Sequence, residues 1–234
     1  MTVDPLVLIP EVGRATERLL TTAGSIDDTA LAGASLLPGW TRGHVLTHLA
    51  RNADALVNLL TWARTGVETP AYASREAREA DIAAGSSRPV AEQVADLREA
   101  CDRFAAAAVA VPAAGWRTMV RFGSGSLTHA AYVVWARVRE IEVHHVDLDA
   151  GYGPADWPDS FTHRVLHELC GELGGFDVRL RATDLGHELV CGAGGGPTVS
   201  GPGHLVAAWL AGRSDGAGLT VTPDGPLPAV PEWR

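Results

Sequence analysis

RVREIEVHHVDLD, residues 137–149, decides the fold. From Glu140 to His144 polar and apolar side chains alternate, which is the period of a half-buried strand. The residues before them, SLTHAAYVVWARVRE (126–140), have helical character, so the segment is read as one helix from about Ser126 to the glycine at 151. As a helix it threads two glutamates, two adjacent histidines and two aspartates between valines and an isoleucine, instead of gathering charge on one face. It is therefore either a wet surface helix or a site.

Working outward, helical signals dominate the first two thirds of the chain. DPLVLIPEVGRATERLLTTAG (4–24) sets Leu8, Val12, Ala15, Leu19 and Ala23 at steps of three and four and stops at Gly24. GWTRGHVLTHLARNADALVNLLTWARTG (39–66) offers Thr41 as N-cap, a stripe of Val45, Leu49, Leu56, Leu59 and Leu60, and a stop at Gly66. SRPVAEQVADLREACDRFAAAAVAV (87–111) has Pro89 near its first turn and Pro112 closing it. Between the last two, residues 67–88 form a long polar connection in which SREAREADIAA (74–84) adds a short helix. Four long helices predict a bundle over residues 1–152.

Beyond residue 152 the texture changes. YGPADWPDS (152–160) is rich in turn formers and reads as a linker. A helix over 159–173 follows, then three short strands in FDVRLRATDL, HELVC and GLTVT, with a short helix in GPGHLVAAWLAGR ending at Gly212. Residues 153–234 are thus expected to be a small α+β domain, which makes the whole chain α+β.

The 234 residues are 46% hydrophobic and 20% charged, enough for a real core. With 19 basic against 28 acidic residues the formal charge is -9, which disfavours nucleic acid and anionic membranes as partners. No run approaches the roughly 18 apolar residues of a spanning helix, and the first twenty residues lack a basic leader pattern, so a cytoplasmic location is expected. A monomer is expected as well. Cys101, Cys170 and Cys191 are odd in number, far apart and without CxxC spacing, and are read as buried thiols of a reducing compartment.

On the helix at 137–149, Glu140 and His144 are four residues apart and point the same way, with Arg137 one turn earlier. A carboxylate and an imidazole at this spacing can share an ion, and a histidine from a facing helix would complete a two-histidine, one-carboxylate set with open positions. His48, amid Val45, Leu49 and Leu56, could supply it. The same Glu and His are equally an ordinary surface pair, and a histidine among leucines is often just a satisfied core residue. His44 is either a support to the site or solvent exposed, and His145 is turned about a hundred degrees from His144. Glu142 falls on the opposite side, expected to face water. Asp147 and Asp149 oppose the helix dipole, which implies a partner or a turn role.

LLPGWTRGHVLTHLARNADAL (36–56), RVREIEVHHVDL (137–148) and VAAWLAGR (206–213) together resemble the mycothiol-dependent maleylpyruvate isomerase family over nearly the whole chain. The resemblance implies a DinB-like metal-binding four-helix bundle followed by a small sterol-carrier-like α+β domain, with zinc on His48, Glu140 and His144 and a functional arginine at Arg213. It further implies a small-molecule substrate and mycothiol, a low-molecular-weight thiol. Zinc would turn the thiol into its nucleophilic thiolate, which adds to the double bond of maleylpyruvate, allows rotation and leaves fumarylpyruvate on elimination. Arg213 could grip a substrate carboxylate with two parallel hydrogen bonds. Two alternatives stand beside this: a mycothiol S-transferase acting on another electrophile, and a non-catalytic metal or lipid-binding protein.

Other signals are set aside. CGAGGGP (191–197) lacks the Lys and Ser or Thr of a phosphate loop and is read as a flexible turn. HRVLHE (163–168) puts His163 and His167 at metal-compatible spacing but fits neither HExxH nor HxxEH. There is no GxSxG elbow, and Trp40 and Trp209 are given no chemistry.

Overall fold

The computed structural model describes residues 4–123 and 125–231. The chain divides into two compact units, Met1–Tyr152 and Gly153–Arg234, each taken by itself below.

The first unit is built on α1 (Pro5–Gly24), α2 (Asp28–Leu31), α3 (Arg42–Thr65), α4 (Arg75–Gly85) and α5 (Val90–Val109). It is completed by β1 (Met119–Arg121), β2 (Leu127–His129) and α6 (Tyr132–Asp147). The helix ends follow local chemistry. Asp4 accepts from the Leu6 amide at 3.0 Å, and Thr41 and His44 exchange capping hydrogen bonds at the start of α3. Gly66, at φ 75°, closes α3 in the left-handed conformation that costs a residue with Cβ dearly.

α1 and α3 each pack against both α5 and α6, so they occupy opposite corners of a four-helix bundle. Leu8, Leu19, Leu46, Leu49, Leu59, Leu60, Leu97, Phe104, Trp135 and Ile141 are fully buried in it. Arg137 is buried with them, its guanidinium donating to the Leu49 carbonyl at 2.9 Å and to Asn52 Oδ1 at 2.8 Å, which ties α6 to α3.

The bounds of α6 differ from expectation at both ends, and it stops at Asp147, short of Gly151. α6 begins at Tyr132, not near Ser126, because residues 127–129 pair antiparallel with residues 119–121 as a short hairpin. The alternation of Leu127, Thr128 and His129 is a strand signal too short to stand out beside the helix that follows.

The second unit consists of α7 (Asp159–Glu172), β3 (Val178–Ala182), β4 (His187–Cys191), β5 (Thr198–Gly201), α8 (Gly203–Leu210) and β6 (Thr220–Thr222). The sheet order is β4-β3-β5-β6, antiparallel except for the β3/β5 pair, and α8 packs on α7, β3 and β5. β5 was not among the three expected strands. It directly follows the glycine run, whose amides are already used: Asp177 Oδ1 accepts from Gly194 at 2.6 Å and from Gly195 at 3.1 Å. A Cβ on Gly196 would come within 1.8 Å of the Asp177 carbonyl oxygen, so the run is glycine because it lies flat against its own chain.

The expectation for the cysteines is corrected. Cys170 of α7 and Cys191 of β4 form a disulfide with Cα atoms 5.0 Å apart, and only Cys101 is a free, buried thiol. The pairing arises because α7 packs on β4, which spacing along the chain does not reveal, and it removes the compartment argument drawn from three free thiols. Among the described residues no helix is long and apolar enough to cross a membrane.

Candidate metal centre

α3 and α6 face each other, and their contact brings His48, Glu140 and His144 together with one ligand atom from each within 4.8 Å of the others. Glu140 Oε2 lies 3.1 Å from His48 Nε2 and 3.6 Å from His144 Nε2. The two imidazole rings stand edge to face, centroids 4.6 Å apart. His48 is buried, and Trp40 lies against it, centroid to centroid 5.7 Å.

Each imidazole is held by its other nitrogen. His144 Nδ1 is 2.8 Å from Asp147 Oδ2, a buried carboxylate three residues later on the same helix. As Asp147 accepts the Nδ1 proton, the lone pair of the neutral tautomer falls on Nε2, facing the Glu140 oxygen. Two acceptors directed at each other describe a place for a cation. At His48, Arg78 of α4 approaches Nδ1 at 3.1 Å. A guanidinium can only donate, so Nδ1 accepts and the proton of neutral His48 sits on Nε2, donated to Glu140.

The electrostatics agree. Burial lowers the His48 pKa to about 4, against the opposing pull of Glu140. Burial would raise the Glu140 carboxyl, but the hydrogen bond from His48 and the neighbouring imidazoles outweigh it and hold Glu140 well below the usual carboxylate range. Two nitrogens and an ionised oxygen at this spacing suit a borderline divalent ion, with positions left for other ligands; the ion would take the place of the His48 Nε2 proton, leaving that ring protonated at Nδ1 and no longer accepting from Arg78.

The ends of the two helices are locked together near this site. Arg42, at the start of α3, donates to the carbonyls of Leu148 at 2.9 Å and Asp149 at 2.8 Å and pairs with the Asp149 carboxylate at 3.0 Å. Asp149 itself has φ 52°, so it is both a turn residue and an ion-pair partner. His44 caps α3 and stacks on Trp40 rather than joining the cluster. His145 is buried on another face of α6, stacked on Tyr152 and 2.8 Å from Thr22 Oγ1.

Glu142 lies away from the cluster, but the expectation that it faces water is corrected. It is buried, ion-paired with Arg18 of α1 and hydrogen-bonded by the Tyr152 hydroxyl. Burial pushes its carboxyl pKa up, against the pull of Tyr152 and Arg18. Helix spacing gave its direction, but an α1 lies where solvent was assumed.

Arg213 lies in the second unit just past α8, part exposed, its guanidinium donating to the Ala211 carbonyl at 2.8 Å. Two supporting residues were not anticipated in these roles. Asp147 was detectable, being one turn beyond His144 on the same face; Arg78 was not, since it reaches His48 only through the path of the connection before α5. Arg78 also lines a cavity of about 260 Å³ with Arg51, Asp54, Asn58, Tyr72 and Asp81.

The family model described as the mycothiol maleylpyruvate isomerase N-terminal domain matches residues 12–149. Among solved structures, the chain is similar to the crystal structure of the mycothiol-dependent maleylpyruvate isomerase, at 28% identity, 100% coverage of both chains and TM-score 0.90. It is similar to the same extent to a histidine-to-alanine mutant of that enzyme, again at 28% identity, 100% coverage and TM-score 0.90. No curated protein matches.

Proposed function

This chain belongs to the mycothiol maleylpyruvate isomerase N-terminal domain family, and from that premise we propose that it is a zinc- and mycothiol-dependent isomerase of maleylpyruvate. The observation that carries the reading is the convergence of His48, Glu140 and His144, each ligand atom within 4.8 Å of the others, on two facing helices of the matched region. Bound there, zinc would supply the acidity that keeps a thiol ionised, and the thiol would supply reversible addition to the substrate double bond.

The chain's own residues do the rest. Glu140 stays ionised and accepts from His48, Asp147 fixes the His144 ring with Nε2 toward the centre, and Trp40 covers His48. The polar cavity that shares Arg78 with His48 suits the hydroxyl-rich body of a sugar thiol. We assign the dianionic substrate to Arg213, whose planar fork matches a carboxylate with two parallel hydrogen bonds.

The test is the conversion of maleylpyruvate to fumarylpyruvate by zinc-loaded protein, with and without mycothiol, followed by ultraviolet absorption. A rate that needs both metal and thiol is expected. Bound metal with no isomerisation, but thiol transfer to another electrophile, would replace the isomerase by an S-transferase.

A further inference from the structure

The second unit gathers three histidines that the first site does not use. His163 and His167 lie one turn apart on α7, and β4, which packs against that helix, presents His187. The rings form a triangle with centroid separations of 4.7, 4.5 and 4.8 Å. One nitrogen from each lies within 4.8 Å of the other two, and all three residues are half-buried.

His167 and His187 meet Nε2 to Nε2 at 2.8 Å, a contact in which two neutral imidazoles share one proton, one donating and the other accepting. Zinc–nitrogen bonds of about 2.0–2.1 Å at tetrahedral angles hold ligand nitrogens about 3.3 Å apart, so His167 and His187 need open by only about half an ångström. An ion taking both Nε2 lone pairs would shift the donor ring's proton from Nε2 to Nδ1, a change of tautomer and not of charge.

The frame around the cluster is covalent. The Cys170–Cys191 disulfide joins α7 to β4, three residues beyond His167 and four beyond His187. Two rigid elements, linked beside the ligands, give the fixed spacing that a metal site requires. We propose that His163, His167 and His187 form a second site for a divalent transition metal of the zinc class, with three imidazole ligands and a fourth position open to water.

Metal titration of full-length, tag-free protein tests this, using Co²⁺ as the probe and counting bound ion after gel filtration. The His48→Ala/His144→Ala variant, which lacks the first candidate centre, is expected to bind one equivalent with the visible absorption of a tetrahedral ion. Adding His187→Ala is expected to abolish that equivalent. A folded His48→Ala/His144→Ala variant that binds no ion overturns the proposal. Should that variant fail to fold, His163→Ala and His187→Ala in the otherwise native chain must each lose one equivalent, and unchanged stoichiometry overturns it equally. Failure of the first centre alone reads differently: the His187→Ala protein would then bind nothing, while the native chain keeps one equivalent.

Discussion

Asp147→Asn preserves the shape of a side chain and removes its charge. Asp147 is buried and touches His144 Nδ1 at 2.8 Å, so its carboxylate both selects the tautomer and strengthens the ring as a donor. The amide oxygen can still accept from Nδ1–H, but without the charge, and the new NH₂ is left in a buried place. Losing such a partner typically weakens metal affinity about 10–100-fold, or about 1.4–2.7 kcal/mol, within the range of a hydrogen bond to a charged group. The assay is competition for Zn²⁺ against a chelator of known affinity at pH 7.5, with circular dichroism and a melting curve to confirm the fold. A folded variant whose affinity changes less than about twofold would show that Asp147 does not orient His144 as a ligand.

Other outcomes follow from the same geometry. His48→Ala, Glu140→Ala and His144→Ala are each expected to lose the first-site metal and the isomerase rate, read by metal analysis and the ultraviolet assay. Glu142→Ala should keep both yet lose about 2 kcal/mol in urea unfolding, because Arg18 and the Tyr152 hydroxyl lose their buried partner. Arg213→Ala should leave metal content unchanged and lower kcat/KM for maleylpyruvate; an unaltered kcat/KM removes it from substrate binding. For metal-stripped protein, His48 takes up protons less readily when folded (pKa about 4) than when unfolded (about 6.5). The unfolded chain therefore binds more protons between these values, and stability falls as pH drops from 6.5 toward 4, by about 3 kcal/mol from this group. Urea melts across that window should show the loss, and a His48→Gln protein should show a shallower one.

The helices of the bundle were readable because each announces itself locally. Thr41 and Gly66 bracket α3 by their own chemistry, and Leu8, Val12, Leu19 and Ala23 mark the inner face of α1. Glu140 and His144 were readable as a pair from their spacing and His48 as a candidate third ligand, whereas its assignment to the pair came from resemblance, since no local rule says which helices face each other. What was missed depends on distance along the chain. The Cys170–Cys191 bond, the arrival of His187 beside α7 and the burial of Glu142 under Arg18 are all made by packing between remote segments. β5 escaped for another reason: four residues after a glycine run carry too little pattern, and their partners on either side make them a strand.

α6 is gripped by polar contacts around its circumference: Arg137 to α3, Glu140 and His144 in the ligand cluster, Glu142 and His145 to α1. A smooth apolar helix can turn or slide a little and find new packing; this one cannot, because each grip is directional and on a different side. Removing a single residue between Arg137 and His144 would rotate everything beyond it by about 100° relative to everything before it. A change of length there should therefore break several of these grips at once, where a change of one residue breaks one.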